Sequence, residues 1–175
     1  MSRFGIFIIL ISIVCSCSKL DELTKFNIDY ETEVTIPAST GISLPFDIFT
    51  PDTETNSESK FESNDTRKDL IESIKLTKLQ LDITSPDDAD FSFIESIEVY
   101  INAEGLDEIL IAYKEDVSET ASILDLDVTD IELKEYIKKD SYSLRLNTVT
   151  DETLGQDHEI DVNSTFYVDA KILGL

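Results

Sequence analysis

The chain has 175 residues, with 37 acidic against 14 basic and a net charge of −23. A surface this acidic repels nucleic-acid phosphates and anionic headgroups, which excludes DNA and RNA as expected partners. Charge alone would favour disorder, but Ile, Leu, Val and Phe recur at regular spacing from Phe26 onward while Gly and Pro are sparse, so a folded domain with an acidic coat is expected.

Residues 1–18 have the layout of a secretory signal. Arg3 supplies the positive start, and the apolar run from Phe4 to Val14 is broken only by Gly5 and Ser12. At about 11 residues that run is too short for a bilayer core, which needs about 20. The run closes on Ile13-Val14-Cys15-Ser16-Cys17, with an aliphatic residue three places before Cys17 and a small residue just before it. This segment resembles the lipobox of bacterial lipoproteins. The resemblance implies cleavage after Ser16 and lipidation of Cys17, with a diacylglyceryl group and usually an N-acyl chain such as palmitate. Cys15, flanked by Ser12 and Val14, is a poorer match. Two or more acyl chains anchor stably where one does not. The resemblance thus implies an outer-membrane lipoprotein facing the periplasm or the cell surface. Lys19 and the Asp21-Glu22 pair are similar to the export tag of surface lipoproteins in the Bacteroidota, and equally serve as a plain tether.

Cleavage at Cys17 removes Arg3 and no acid, which moves the charge from −23 to −24. Residues 17–25 form the tether and residues 26–175 a single domain, long enough to bury a core without disulfides. Fully extended, the tether reaches about 28 Å at most, so the domain stays close to its membrane.

Residues 26–36 alternate strictly. Phe26, Ile28, Tyr30, Val34 and Ile36 share one face, and Asn27, Asp29, Glu31, Glu33 and Thr35 the other. One buried and one wet face is the pattern of an antiparallel strand. Ile42, Leu44, Phe46 and Ile48 define a second strand, where Pro45 demands an edge position or a bulge. Residues 50–60 lack periodicity and read as a loop. Asn64 or Thr66 caps a short helix running to about Ser73. Residues 74–84 form a third strand whose apolar parity switches between Leu76 and Leu79, which predicts a one-residue bulge near Thr77-Lys78. Residues 85–90 form a turn, and residues 91–94 an apolar helical turn plugging the end of the core.

Residues 96–102 and 108–113 form a hairpin across Gly105. Residues 122–128 form another strand. Thr129 and Glu132 fit a capping box for a helix over residues 130–139, with Leu133, Tyr136 and Ile137 on one face. Residues 141–149 alternate again, residues 150–157 form a turn around Gly155, and residues 159–173 carry one or two strands. The expected fold is an antiparallel β-sandwich of about 7–9 strands with one or two short helices in crossovers; an all-β barrel is the alternative.

Chemistry is sparse. There is no glycine-rich phosphate loop, no metal-spaced His/Cys cluster and no nucleophile elbow. The single histidine, His158, lies in the polar run 155–159 and is expected to be an exposed turn residue. Acid pairs able to hydrolyse glycosides carry no information where 37 acids are present. Tryptophan is absent and Tyr30 and Tyr142 fall on inward faces, which lowers a sugar-binding role. Calcium is the most concrete cofactor, through Asp125, Asp127 and Asp130, although the run lacks the glycine and terminal glutamate of an EF-hand. The reading is a non-catalytic, membrane-anchored binding, adhesion or assembly module with an unknown protein or glycan partner. A carbohydrate-binding accessory lipoprotein and a carboxylate-dependent glycan-processing enzyme are the alternatives.

Overall fold

The computed structural model describes residues 24–38, 45–117, 122–150 and 153–171. Two antiparallel sheets pack face to face as a mainly β sandwich. The first has the order β1 (Lys25–Ile36), β10 (His158–Ala170), β4 (Ile71–Ser85), β7 (Ile123–Asp125). The second has the order β2 (Phe46–Phe49), β9 (Ser141–Thr150), β5 (Ile94–Asn102), β6 (Ile109–Glu115), β8 (Asp127–Val128), with β3 (Thr53–Glu54) also on β9.

Period-two patterning is what makes the core. Ile28, Tyr30, Val34 and Ile36 of β1 are buried, as are Ile160, Val162, Phe166 and Val168 of β10 and Leu144 and Leu146 of β9. β1 pairs with β10 through twelve consecutive residues without a register shift. In β4 the parity switch has the expected cause. Thr165 lies opposite Lys78 but Phe166 lies opposite Leu76, so Thr77 is the extra residue. Thr77 and Lys78 both face solvent, and Leu79 and Leu81 return inward. Further shifts at Glu72 and Thr84 let one long strand follow the curve of the sheet.

β2 is an edge strand, as a run beside Pro45 requires. Its line along β9 breaks at Pro51. There the Thr50 hydroxyl accepts the Leu144 amide at 2.9 Å, so the partner strand loses no hydrogen bond. Residues 50–60 are not a bare loop. They hold β3 and then helix α1 (Ser57–Glu62). The expected helix over residues 64–73 is absent: residues 64–70 are turns, and β4 already begins at Ile71. The driving side chain is Phe61, fully buried and edge-to-face with Phe26 at 6.4 Å. It draws α1 over one end of the sandwich, and the Thr66 amide then donates back to the Phe61 carbonyl.

The 3-10 turn Phe91–Phe93 closes the opposite end with both phenylalanines buried, and Asp90 accepts the Ser92 amide at 3.0 Å. His158 belongs to this plug. It is not an exposed turn residue: it is 8% exposed, packs at a tilt against Phe93 with ring centres 4.9 Å apart, and its Nδ1 lies 3.1 Å from the Gln156 carbonyl. The polar run misled because β10 starts at His158, two residues before its first apolar side chain at Ile160, with His158 pointing inward.

Residues 122–128 are not one strand. β7 pairs with β4, β8 pairs with β6, and the chain passes from one sheet to the other at buried Leu126. The Leu126 amide donates to Leu79 in the first sheet and the Thr129 amide to Ile111 in the second. Leu124 and Leu126 keep one face throughout, so periodicity does not reveal the change of partner.

The capping box at Thr129 does not form, and the helix there shrinks to α2 (Lys134–Ile137). Thr129 Oγ1 donates to the Leu110 and Ile111 carbonyls instead. Glu132 Oε1 accepts the Ile74 amide at 2.9 Å and the Lys134 amide at 2.9 Å. The Leu133 amide donates to the Ile74 carbonyl at 2.8 Å. Beyond the reach of short β7, this segment thus finishes the edge of β4 with one side chain and one backbone group.

Partial burial opposes ionisation at Glu132, but the Ile74 amide, the Ser73 side chain and Lys134 together hold its carboxyl below the usual range. Its folded value is depressed, so its contribution is present above the unfolded pKa and fades as pH falls through the folded one. Glu132→Ala is expected to cost about 1–2 kcal/mol near neutrality. Glu132→Gln, which keeps the acceptor, should cost less and flatten the loss of stability below about pH 4.5. Equal losses for both variants at every pH would overturn this role.

Candidate functional site

Cys17, Cys15 and the rest of the lipobox segment lie outside the described residues. The three carboxylates expected to bind calcium do not converge. Asp125 accepts from Gln80 at 2.8 Å with Lys78 at 4.0 Å, Asp127 faces Lys114 at 3.4 Å, and Asp130 pairs with Lys75. The sheet change at Leu126 is what parts Asp125 from Asp127. Among the described residues no three His, Cys, Asp or Glu side chains are grouped to hold a metal. Thermal unfolding in calcium and in chelator tests the site: a midpoint that rises with calcium would support it, and the same midpoint in both would remove it.

Paired-acid hydrolysis needs one carboxyl kept protonated by its surroundings. Among the described residues no Asp or Glu is buried, and the buried polar side chains are threonines, serines and His158. The depression beside α1 is lined by Glu54, Glu58, Glu62 and Asp140, all exposed, with Lys68 at its rim.

The two outer faces differ sharply. The first sheet shows Asn27, Asp29, Glu31, Glu33 and Thr35 on β1, Asp161, Asn163, Thr165 and Tyr167 on β10, and Lys75 and Lys78 on β4, a wet surface of mixed charge with one ring toward its end. The second sheet places aromatic rings and an arginine among its acids. Its register aligns Phe49, Arg145, Tyr100 and Leu110 in one row across β2, β9, β5 and β6. The next row holds Asp47, Asn147, Glu98 and Tyr113. Phe49 is 64% exposed and Tyr113 42% exposed.

Arg145 organises the face. Its Nη1 donates to Asp47 Oδ1 at 2.7 Å, its Nε to Glu108 at 3.0 Å, and its Nη2 also to Glu108. Its guanidinium carbon lies 4.2 Å from the centre of the Tyr100 ring, a cation–π contact that fixes both groups. Asn147 donates to the same Asp47 oxygen at 2.7 Å, and the Tyr100 hydroxyl donates to Glu98 at 2.8 Å. The hydrogen bond from Asn147, and next that from Arg145, holds the Asp47 carboxyl below the usual range. The bond to Glu98, with some burial, raises the Tyr100 hydroxyl. The result is a Tyr100 ring and an Arg145 guanidinium held in place among fixed carboxylates and an amide, with the exposed rings of Phe49 and Tyr113 beside them.

Sequence reasoning missed this face because it joins the β5–β6 hairpin to β2 and β9, which are distant from it in the chain. The available signal was the outward parity of Phe49 and Tyr113 against their inward neighbours Ile48 and Ala112.

No family model matches the sequence, and no curated protein matches it. Among solved structures, the acidic stable capsid of Helicobacter pylori bacteriophage KHP30 is similar at TM-score 0.36 and 6% identity, over 85% of this chain and 98% of that one. Tomato aspermy virus is similar at TM-score 0.30 and 11% identity, over 83% and 79%. Desmodium yellow mottle tymovirus gives TM-score 0.31 and 11% identity, over 86% and 85%. Likeness this loose carries no argument about this chain.

Proposed function

We propose that this protein is a lipid-anchored envelope protein whose sandwich is a non-catalytic binding, adhesion or assembly module working through the outer face of the second sheet. The observation that carries the binding role is the contrast between the two outer faces. Tyrosine, phenylalanine and arginine are side chains enriched at recognition surfaces, and here Phe49, Tyr100 and Tyr113 share one face with Arg145, against Tyr167 on the other. The anchor rests on the lipobox resemblance, with Cys17 as the modified residue and the membrane as the first partner. It places the domain in the outer membrane, facing the periplasm or the outside.

The exposed rings also favour a second reading, a carbohydrate-binding accessory lipoprotein. Rings at Phe49 and Tyr113 stack on sugar faces, while Asp47, Asn147 and Glu98 offer hydrogen bonds.

Metabolic labelling with palmitate tests the anchor: Cys17→Ala should abolish incorporation and Cys15→Ala retain it, and the reverse result would overturn the assignment. A glycan array probed with the wild-type domain and a Phe49→Ala/Tyr113→Ala variant tests the face. Signals lost in the variant at an unchanged thermal midpoint support the sugar reading. A blank array leaves the protein-binding reading, whose own test is cross-linking from position 113 in intact cells. A cross-link formed equally well from an outward position on the first sheet, such as Asn163, would remove the claim for this face.

A further inference from the structure

β1 is the free edge of the first sheet. In an antiparallel strand, backbone groups point alternately toward the partner and away from it. The Tyr30 carbonyl faces β10, where it accepts from the Ser164 hydroxyl at 3.3 Å. The Asp29 carbonyl faces outward, where Lys60 of α1 takes it at 2.9 Å. Glu31, Glu33 and Thr35 share the parity of Asp29, so their N–H and C=O groups point away from β10. Among the described residues those groups have no partner.

This edge lacks the usual protections. It has no bulge across its pairing, and no proline or lysine in residues 31–35. What it has is acid. Glu33, Asp161 and Asp82 lie directly opposite one another across β1, β10 and β4, and Glu159 follows beside Thr35. Among the described residues none of these four pairs with a lysine or arginine within salt-bridge distance. Like charges in direct cross-strand register destabilise a sheet. A second copy of this chain is a poor occupant, since pairing β1 with itself would set Glu31 and Glu33 against further glutamates.

We propose that residues 31–35 of β1 form a strand-acceptor site for an extended segment of a partner protein with lysine or arginine at alternate positions. The backbone groups supply hydrogen bonds, as in β-strand addition. The acid row selects lysine or arginine on the solvent face of the added strand. α1, through Lys60, stops the added strand at Asp29. This site is separate from the aromatic face of the second sheet.

The probe is a capped peptide of alternating lysine and valine, with two N-methylated versions. One is methylated on the lysine amides and the other on the valine amides, so each blocks one edge of the peptide. Binding to the full domain is read by calorimetry at low salt. The site requires that one methylated peptide lose about tenfold or more in affinity while the other keeps it, since each backbone hydrogen bond is worth roughly 1 kcal/mol. Asp161→Asn should weaken the unmodified peptide while raising the thermal midpoint of the free domain, because it relieves the acid row. Equal binding of both methylated peptides would reduce the effect to bulk charge attraction and overturn the site. So would no binding of the unmodified peptide, or an Asp161→Asn variant that binds unchanged.

Discussion

Phe166→Ala is expected to lower stability by about 3–5 kcal/mol, the largest effect of a single truncation in this domain. Phe166 is fully buried at the centre of β10 and meets Tyr30 at 5.7 Å and Tyr142 at 6.1 Å, both edge-to-face. Tyr30 and Tyr142 close the triangle at 5.6 Å. Each contact adds to the buried area of the rings. Removing the central ring opens a cavity that β1 and β9 cannot collapse into, because both are held by long ladders. Thermal unfolding should show a drop of roughly 10 °C or more, while Phe166→Leu should lose much less. A shift no larger than that of a surface substitution would mean the triangle is not the centre of the core.

The same triangle makes the protein sensitive to alkali. Burial raises the Tyr142 hydroxyl to about 12, with its Ser164 hydrogen bond pulling slightly the other way. Burial also raises Tyr30, with Tyr142 adding to it. Unfolded tyrosines lose their proton near pH 10. The folded state therefore holds these protons more tightly, and stability is complete below about pH 10 and falls as pH rises toward 12. From Tyr142 alone the loss by pH 12 is of the order of 2–3 kcal/mol. Absorbance at 295 nm should rise in two phases, the second together with unfolding. Tyr142→Phe removes this ionisation and should move the alkaline midpoint upward. It should change neutral stability by no more than about 1.5 kcal/mol, since Ser164 keeps its bond to the Tyr30 carbonyl. An unmoved alkaline midpoint would place the sensitivity elsewhere.

Much of the fold is legible because strands advertise themselves locally. The alternation of residues 26–36 and 141–149, and the parity break at Thr77, each follow from a few neighbouring residues. What failed was everything decided by a distant partner. Thr129 and Glu132 have the spacing of a capping box, yet the Ile74 amide at the edge of β4 is a better use for the Glu132 carboxylate than a helix start. Residues 122–128 read as one strand because inward parity is kept across the sheet change. Phe61 placed α1 several residues before its expected position through a contact with Phe26. The cluster around Arg145 was hidden for the same reason: Asp47, Tyr100 and Arg145 meet only when three strands are laid side by side, and Glu108 joins them from the loop before β6. The acidic composition foretold a charged coat, but not that one outer face would gather Phe49, Tyr100 and Tyr113.

The unbroken register of β1 on β10 also bears on how the domain takes load. β1 is the first described strand and is antiparallel to β10 from Lys25–Asp169 to Ile36–His158. Tension drawn through the N-terminus along the strand axis shears the whole ladder, and its hydrogen bonds resist together. Tension drawn sideways opens the ladder from Lys25 one pair at a time. The direction of pull then sets how fast the domain is forced open: end-on, it holds like a lap joint, and from the side it parts like a zip.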